Sequence, residues 1–565
     1  MLFHPSISLC DKASRSGSLP SLQPAGEHSW LDLNQQKRVF AQSSSMIMFR
    51  LTPFRESRKA ILWRTHQAMT DFSRRQFLKG VGVTAGALTV GHFSVIEASL
   101  LPNSDKIETH NVVVIGTGLA GFSAALEAKL AGADVMILEK AQNGKDGGNS
   151  KLALGGIVVP PDRSKAGQDI FFDDFMKKSS GRGNAELSRV IAEQVWDGVD
   201  WLKSHGVDLL PPHDSLPYRV MVVQVGPGQF LGMPSALGKL KAKFLQEGGK
   251  IAYNTKAKQL IMANTGKVVG VRAMASRATV DYMADAVILA SGGYAANREM
   301  LETFVDPDAG GMMVRGVPWA TGDGLIMARE AGAMLVNMGG ITSLHVAAVS
   351  PENRASGNPV AAVPFCLGIN RNGMRYIDES KGYVAHGKAV LKQPDQTVAL
   401  VFDEETKKLP EVTGAWDNFK RQGIPIVEAS TLEELAKKID APADNLMKTV
   451  TDFNNAVKNN KALTANPPKA ALAFKIMTPK FYAFYPLVPA ITLSFGGIKV
   501  NSKGQALEAD GTIIPGLFAA GECAGGLYYG DYIGGASLAN CLVMGRVTGR
   551  GAAAMKTEKK EQKTT

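Results

Sequence analysis

Three glycines and one acid carry the most specific chemistry in this sequence. Gly116, Gly118 and Gly121 form a GxGxxG turn, and Glu139 follows 18 residues after the last of them. Such a turn aims backbone N–H groups and the positive end of a helix at a pyrophosphate. A carboxylate closing the next strand accepts both hydroxyls of a ribose. Glu139 suits a free 2′-hydroxyl, which favours FAD or NAD over NADP. The glycines alone are a weak signal, and their order relative to the flanking elements makes it specific.

Those elements are legible around the turn. Val112 to Ile115 is a β-branched run too short for a helix and bounded by Gly116, which predicts a buried parallel strand. The alanine-rich stretch Leu119 to Leu130, stopped by Gly132, predicts a helix. Val135 to Leu138 predicts the second strand, ending on Glu139.

The 565 residues are 45% hydrophobic and 20% charged, a globular balance with length for two domains. The net charge of +11 is spread out or gathered in an N-terminal extension and the KTEKKEQKTT tail. It reads as solvated termini, with no nucleic-acid partner. Cys10, Cys366, Cys523 and Cys541 show no CxxC spacing, so no haem attachment, zinc site, iron–sulfur pattern or other metal site is expected. Electrons are therefore expected from a separate partner.

Residues 1–68 are Ser-rich and without periodicity, and read as an extension, non-native or disordered, ahead of a start at Met69. Ser73-Arg74-Arg75-Gln76-Phe77-Leu78-Lys79 precedes a weakly apolar run from Gly80 to Val90 and small residues near Ala98. Residues 69–98 resemble a twin-arginine export signal, which implies a periplasmic or otherwise extracytoplasmic protein exported after folding around its cofactor. No later segment of 18 apolar residues follows, so no membrane span is expected in the mature chain. Residues 556–565 are expected to be a disordered tail.

Beyond Glu139, the stretch Gly147-Gly148-Asn149-Ser150-Lys151-Leu152-Ala153-Leu154-Gly155-Gly156 lets backbone approach a flat ring closely. With Ala290-Ser291-Gly292-Gly293-Tyr294, Ala320-Thr321-Gly322-Asp323-Gly324 and Gly516-Leu517-Phe518-Ala519-Ala520-Gly521-Glu522, it resembles the flavoproteins of the fumarate reductase and succinate dehydrogenase superfamily, the FAD-dependent oxidoreductase 2 family. The resemblance implies an α/β fold. A Rossmann-like FAD-binding domain would lie in two segments, 108–337 and 483–555, around an inserted α+β capping domain at 338–482. Strand signals at Val287 to Ala290 and again from Gly516 support the split. Helical patterns at Leu432 to Lys438 and Asn445 to Lys458 fall in the insert.

The implied FAD contacts are Gly116, Gly118, Leu119, Ala120, Gly121, Glu139, Lys140, Gly148, Asn149, Ser150, Gly155, Gly156, Ala257, Gly292, Gly293 and Asp323. Glu522 resembles the ribityl contact, and Ala536-Ser537-Leu538 the backbone that meets the pyrimidine edge and stabilises negative charge there. Membrane-bound relatives attach FAD through a histidine where this chain has Asn149, so the flavin is expected to be held non-covalently.

Asn370-Arg371-Asn372-Gly373-Met374-Arg375-Tyr376-Ile377-Asp378-Glu379 resembles the NxxGxRFxNE stretch of the dicarboxylate enzymes, which carry an arginine acid four residues later. Here that position is Tyr383. Tyr532 stands where a second substrate arginine is expected, and Thr492-Leu493-Ser494-Phe495 where paired histidines are expected. A phenol offers one donor where a guanidinium grips a carboxylate with two, so the substrate is expected to be less anionic than fumarate. Both tyrosines resemble those of 3-ketosteroid dehydrogenases in the superfamily. The resemblance implies Tyr383 as the proton-transfer group and Tyr532 as the group polarising a carbonyl, with His386, Lys381 or Arg375 assisting; His386 would share a helix face with Tyr383.

His345 lies near the expected place of a substrate histidine, Tyr528 and Tyr529 are candidate pocket residues, and Cys523 reads as a buried small hydrophobe. The expected activity is reduction or formation of a C=C bond beside a carbonyl, on an enone or ketosteroid-type substrate. The alternative is a fumarate reductase-like or tricarballylate dehydrogenase-like enzyme of unsaturated carboxylates. In either case the electron partner is expected to be a cytochrome c or a quinone/quinol.

Overall fold

A computed structural model of the chain describes residues 104–215, 218–227, 232–342, 345–349 and 355–561, with side chains at 342–356 and 556–561 outside the description. The extension, the export signal and Cys10 lie outside the described residues.

Strand β1 (Lys106–Ile115) is the axis of the first sheet. Its apolar end, Val112 to Val114, is fully buried, as a strand covered on both faces must be. Helix α1 (Leu119–Leu130) crosses to β2 (Val135–Leu138), which runs parallel to β1 with Val112 opposite Val135 and Ile115 opposite Leu138. These bounds are those expected from sequence. Strand β3 (Lys250–Ala252) extends the sheet beyond β2, and β4 (Ala278–Leu289) lies parallel to β1 on its other side.

The second sheet contains β5 (Leu367–Asn370), β6 (Val398–Asp403) and β7 (Phe481–Ile491), all antiparallel, with helix α2 (Tyr383–Val390) between β5 and β6 in sequence. Alternation along β6 divides its residues between two cores. Val398, Leu400 and Phe402 pack with Val412, Trp416 and Phe419 of the helix Pro410–Arg421. Ala399 and Val401 pack with Leu446, Val450 and Phe453 of the helix Ala443–Ala456. That helix begins and ends two residues before the stretch expected from sequence, whereas Leu432–Lys438 is helical over the expected residues. The boundary expected at 482/483 falls inside β7. This one continuous strand carries the second sheet to Ile491, where Ala490 is flanked by Met313 on a parallel strand and His345 on an antiparallel one.

The chain then returns to the first sheet. Strand β8 (Ile513–Ala519) pairs parallel with β4, Leu517 opposite Val287, so this sheet is assembled from segments on both sides of the insert. Helix α3 (Ala536–Glu561) packs against α1 through glycines: a Cβ at Gly549 would stand 2.3 Å from the Ala124 carbonyl oxygen. Its helical backbone is described to Glu561, and the rest of the tail expected from 556 lies outside the described residues. Among the described residues no helix is long and apolar enough to cross a membrane.

Candidate active site

Steric closeness builds the first half of the site. Gly116 takes φ +105°, a conformation that glycine adopts freely, and a Cβ at Gly121 would lie 2.0 Å from the Gly116 carbonyl oxygen. The turn therefore brings the start of α1 against the end of β1. Gly118 caps α1 without a side chain, and Ser150 supplies one from across the site, its Oγ accepting the Leu119 N–H at 3.0 Å. The N–H groups of Ala120 and Gly121 belong to the first turn, which has no intrahelical acceptors for them.

Glu139 is buried at the end of β2. It accepts hydrogen bonds from the Thr117 N–H at 3.1 Å, the Thr117 hydroxyl and the Ala141 N–H at 2.8 Å. Thr117 in turn accepts from the Gly147 N–H at 2.9 Å, so one hydroxyl joins the glycine turn, the ribose acid and the loop leading to Asn149. Sequence reading passed over Thr117, although its place inside the glycine motif was a usable signal. Ala257 is buried on the strand Thr255–Met262, whose first N–H donates to the Glu139 carbonyl at 2.9 Å. Lys140 and Asp323 are brought together: Nζ stands 2.6 Å from the carboxylate, which also meets Lys256 at 3.1 Å. Burial pushes the Asp323 carboxyl up, but the two lysines outweigh it and hold it below the usual range.

The second half is centred on Glu522, inside the 3₁₀ turn that follows β8. Its Oε1 accepts the Ser494 N–H at 2.8 Å and the Ser494 hydroxyl at 3.3 Å. Burial raises its carboxyl above the ordinary value, against those hydrogen bonds. Gly293 must lack a side chain here, since a Cβ would fall 2.4 Å from Glu522 Oε1. Asn149 reaches three segments. Its Nδ2 donates to the Thr492 carbonyl at 3.3 Å and to Glu522 Oε2 at 3.5 Å, and its Oδ1 accepts the Val317 N–H at 2.9 Å. Gly155 and Gly156 lead into the strand Gly156–Val159, and a Cβ at Gly535 would meet the Gly156 carbonyl at 2.8 Å. Ala536, Ser537 and Leu538 then form the first turn of α3, and the latter two have N–H groups of the kind a helix start leaves open. Glycines closed to a Cβ at positions 116, 121 and 293, a buried acid at the end of β2 and two helix starts fit an FAD molecule.

The substrate-side candidates come from two cores. Tyr383 is the first residue of α2 and packs, half-buried, on the aromatic core of the second sheet. Tyr532 packs half-buried on the core of the first sheet, its ring 5.9 Å from both Phe495 and Tyr528. Tyr528 is buried in that cluster, and Tyr529 lies under Arg182. The segment after Tyr383 is helical, as a shared face with His386 requires, but that face turns inward. His386 is fully buried with Nε2 2.8 Å from the Tyr376 hydroxyl, and burial pushes its pKa down to about 4. Arg375 is committed to Glu379 at 2.7 Å, both side chains essentially inaccessible, and Lys381 is exposed. His345 heads a strand whose side chains lie outside the description. Cys523 is a fully buried thiol, as expected, and burial raises its pKa to about 11.

Comparison with known proteins agrees with this geometry. Residues 111–538 match the model of a family described as an FAD binding domain. A probable fumarate reductase, Ifc3 of Shewanella frigidimarina, is 30% identical over 454 residues, covering 79% of this chain and 75% of the relative. The open conformation of a flavocytochrome c3 fumarate reductase superposes with a TM-score of 0.67 at 29% identity, over 79% of this chain and 78% of that one. A 3-ketosteroid-Δ4-(5α)-dehydrogenase from Rhodococcus jostii RHA1, in complex with 4-androstene-3,17-dione, superposes with a TM-score of 0.64 at 25% identity, over 81% and 99%. The chain belongs to this FAD-binding family, which has fumarate reductases among the chain's relatives, and it is an FAD-dependent oxidoreductase acting on CH–CH bonds.

Proposed function

We propose that this protein is an exported enzyme that reduces or forms a C=C bond beside a carbonyl, exchanging electrons with a separate cytochrome or quinol. The carrying observation is the link between the two tyrosine-bearing segments: Lys388 of α2 donates to the Gly530 carbonyl at 2.8 Å, two residues before Tyr532. FAD supplies hydride exchange at N5 when bound. Tyr383 then exchanges the proton at the neighbouring carbon, and Tyr532 polarises the carbonyl. A phenol with an ordinary pKa near 10 serves as an acid in the reducing direction without further activation.

Phenols in place of guanidiniums remove the grip on a second carboxylate; one version of the substrate is a neutral enone or ketosteroid type, supported by the likeness to the ketosteroid dehydrogenase. A second version, an unsaturated acid, draws support from the fumarate reductase relatives and from one arginine described below. Export rests on the Ser73 to Lys79 pattern, and the separate electron partner on the lack of CxxC spacing. The test is anaerobic photoreduction of the purified holoprotein followed by a panel of enones and unsaturated acids, with flavin absorbance as the readout. Reoxidation by at least one conjugated alkene is expected; failure by all of them would reject the reaction class.

A further inference from the structure

Arg315 follows the short strand Met313–Val314, which runs parallel to the end of β7 with Met313 opposite Ala490 and Val314 opposite Ile491. The Arg315 N–H continues the ladder to the Ile491 carbonyl at 2.8 Å, so Arg315 and Thr492 occupy the next register position. Register partners in a parallel pair project to the same face. Both side chains hold buried polar atoms without a hydrogen-bond partner, Nε of Arg315 and Oγ1 of Thr492. Among the described residues no carboxylate pairs with Arg315. Burial alone pushes its pKa down, and no acid offsets that shift.

The pair lies at the site rather than beside it. Asn149 spans the two segments, donating to the Thr492 carbonyl and accepting from the Val317 N–H, while it also meets Glu522. A buried guanidinium Nε and a buried hydroxyl without partners are costly unless a ligand satisfies them. A guanidinium is the side chain best matched to a carboxylate.

Resting on the reaction class proposed above, we infer that Arg315 and Thr492 form the receptor for a single substrate carboxylate, which makes an α,β-unsaturated monocarboxylate the substrate class. One guanidinium balances one carboxylate. The positions of Tyr383 and Tyr532 supply no second cation, which disfavours a dicarboxylate such as fumarate.

The test uses the holoprotein with crotonate, its neutral counterpart 3-penten-2-one, fumarate, and the redox-inert butyrate. In the wild type, crotonate is expected to reoxidise reduced flavin more efficiently than the ketone or fumarate, and butyrate to raise the melting temperature. Arg315→Met is expected to lower kcat/KM for crotonate roughly 10- to 150-fold, the worth of a hydrogen bond to a charged group. It should also abolish the butyrate effect, leave FAD content intact and change the ketone reaction less than threefold. Arg315→Lys should recover part of the crotonate rate, and Thr492→Val should weaken butyrate binding. Preference for the ketone with no butyrate effect would overturn the inference and leave the reaction class standing. Equal losses on crotonate and ketone, or loss of FAD, would assign Arg315 to the flavin and also overturn it. If no alkene reacts, the reaction class fails, and an Arg315-dependent butyrate shift still decides the receptor.

Discussion

Lys388 Nζ lies 2.8 Å from the carbonyl oxygen of Gly530, which ties the helix that opens with Tyr383 to the loop that carries Tyr532. Partial burial pushes the pKa of this lysine down, with the nearby Asp531 opposing that shift. The contact joins the helix that packs on the second sheet's core to the loop between β8 and α3.

Tyr383→Phe keeps the ring that packs on the second sheet's core and removes only the hydroxyl, so FAD content and stability should change little. Turnover is expected to fall on the order of 10²–10⁴-fold, with a much smaller change in KM. Tyr532→Phe is expected to weaken substrate binding as well, since a carbonyl contact is present before and during the reaction. Steady-state kinetics of the two variants separates these roles, and full turnover in Tyr383→Phe would remove the phenol from proton transfer.

Asn149 holds Val317, Thr492 and Glu522 through its amide and has no group able to bond covalently to FAD in the manner of a histidine. Acid precipitation is therefore expected to release all the yellow colour into the supernatant. Flavin retained in the pellet would contradict non-covalent binding.

His386 predicts an acid limb in stability. Tyr376 holds its Nε2, and Glu379 and Lys469 act on it electrostatically with opposite signs, while burial dominates and lowers the folded pKa to about 4 from an ordinary 6.5. Because the folded value is the lower one, the unfolded chain binds the extra proton first. Stability is complete above about pH 6.5 and is lost as pH falls toward 4, by on the order of 3 kcal/mol. Urea unfolding between pH 4 and 7 should show this limb in the wild type and a flatter profile in His386→Gln. Identical pH profiles for the two proteins would exclude His386 as its source.

Changing Arg74 and Arg75 together to lysine should leave the protein in the cytoplasm with FAD bound, because a twin-arginine signal is read after folding. Cell fractionation with flavin absorbance measures both quantities. Unchanged export would mean that another signal is used.

What the sequence determined by itself is the set of features governed by neighbouring residues. The glycine turn, α1 with both its ends, β2 and the acid at position 139 were all legible, because strand, turn and helix preferences are steric and short-ranged. The substitutions Asn149, Tyr383 and Tyr532 were visible as departures from a family pattern. Partnership and burial were not visible, because they depend on segments meeting across long stretches of chain. Lys140 and Asp323, two expected cofactor contacts 183 positions apart, turn out to face each other. His386 is on the helix face expected for it, yet packing buries that face beside Tyr376, Glu379 and Lys469, and burial keeps the imidazole neutral. The cut expected at 482/483 ignored that β7 must run unbroken to pair with strands on both sides of Ala490. Only tertiary structure sets Arg315 level with Thr492, since pairing between strands far apart in sequence brings those buried polar atoms to one face.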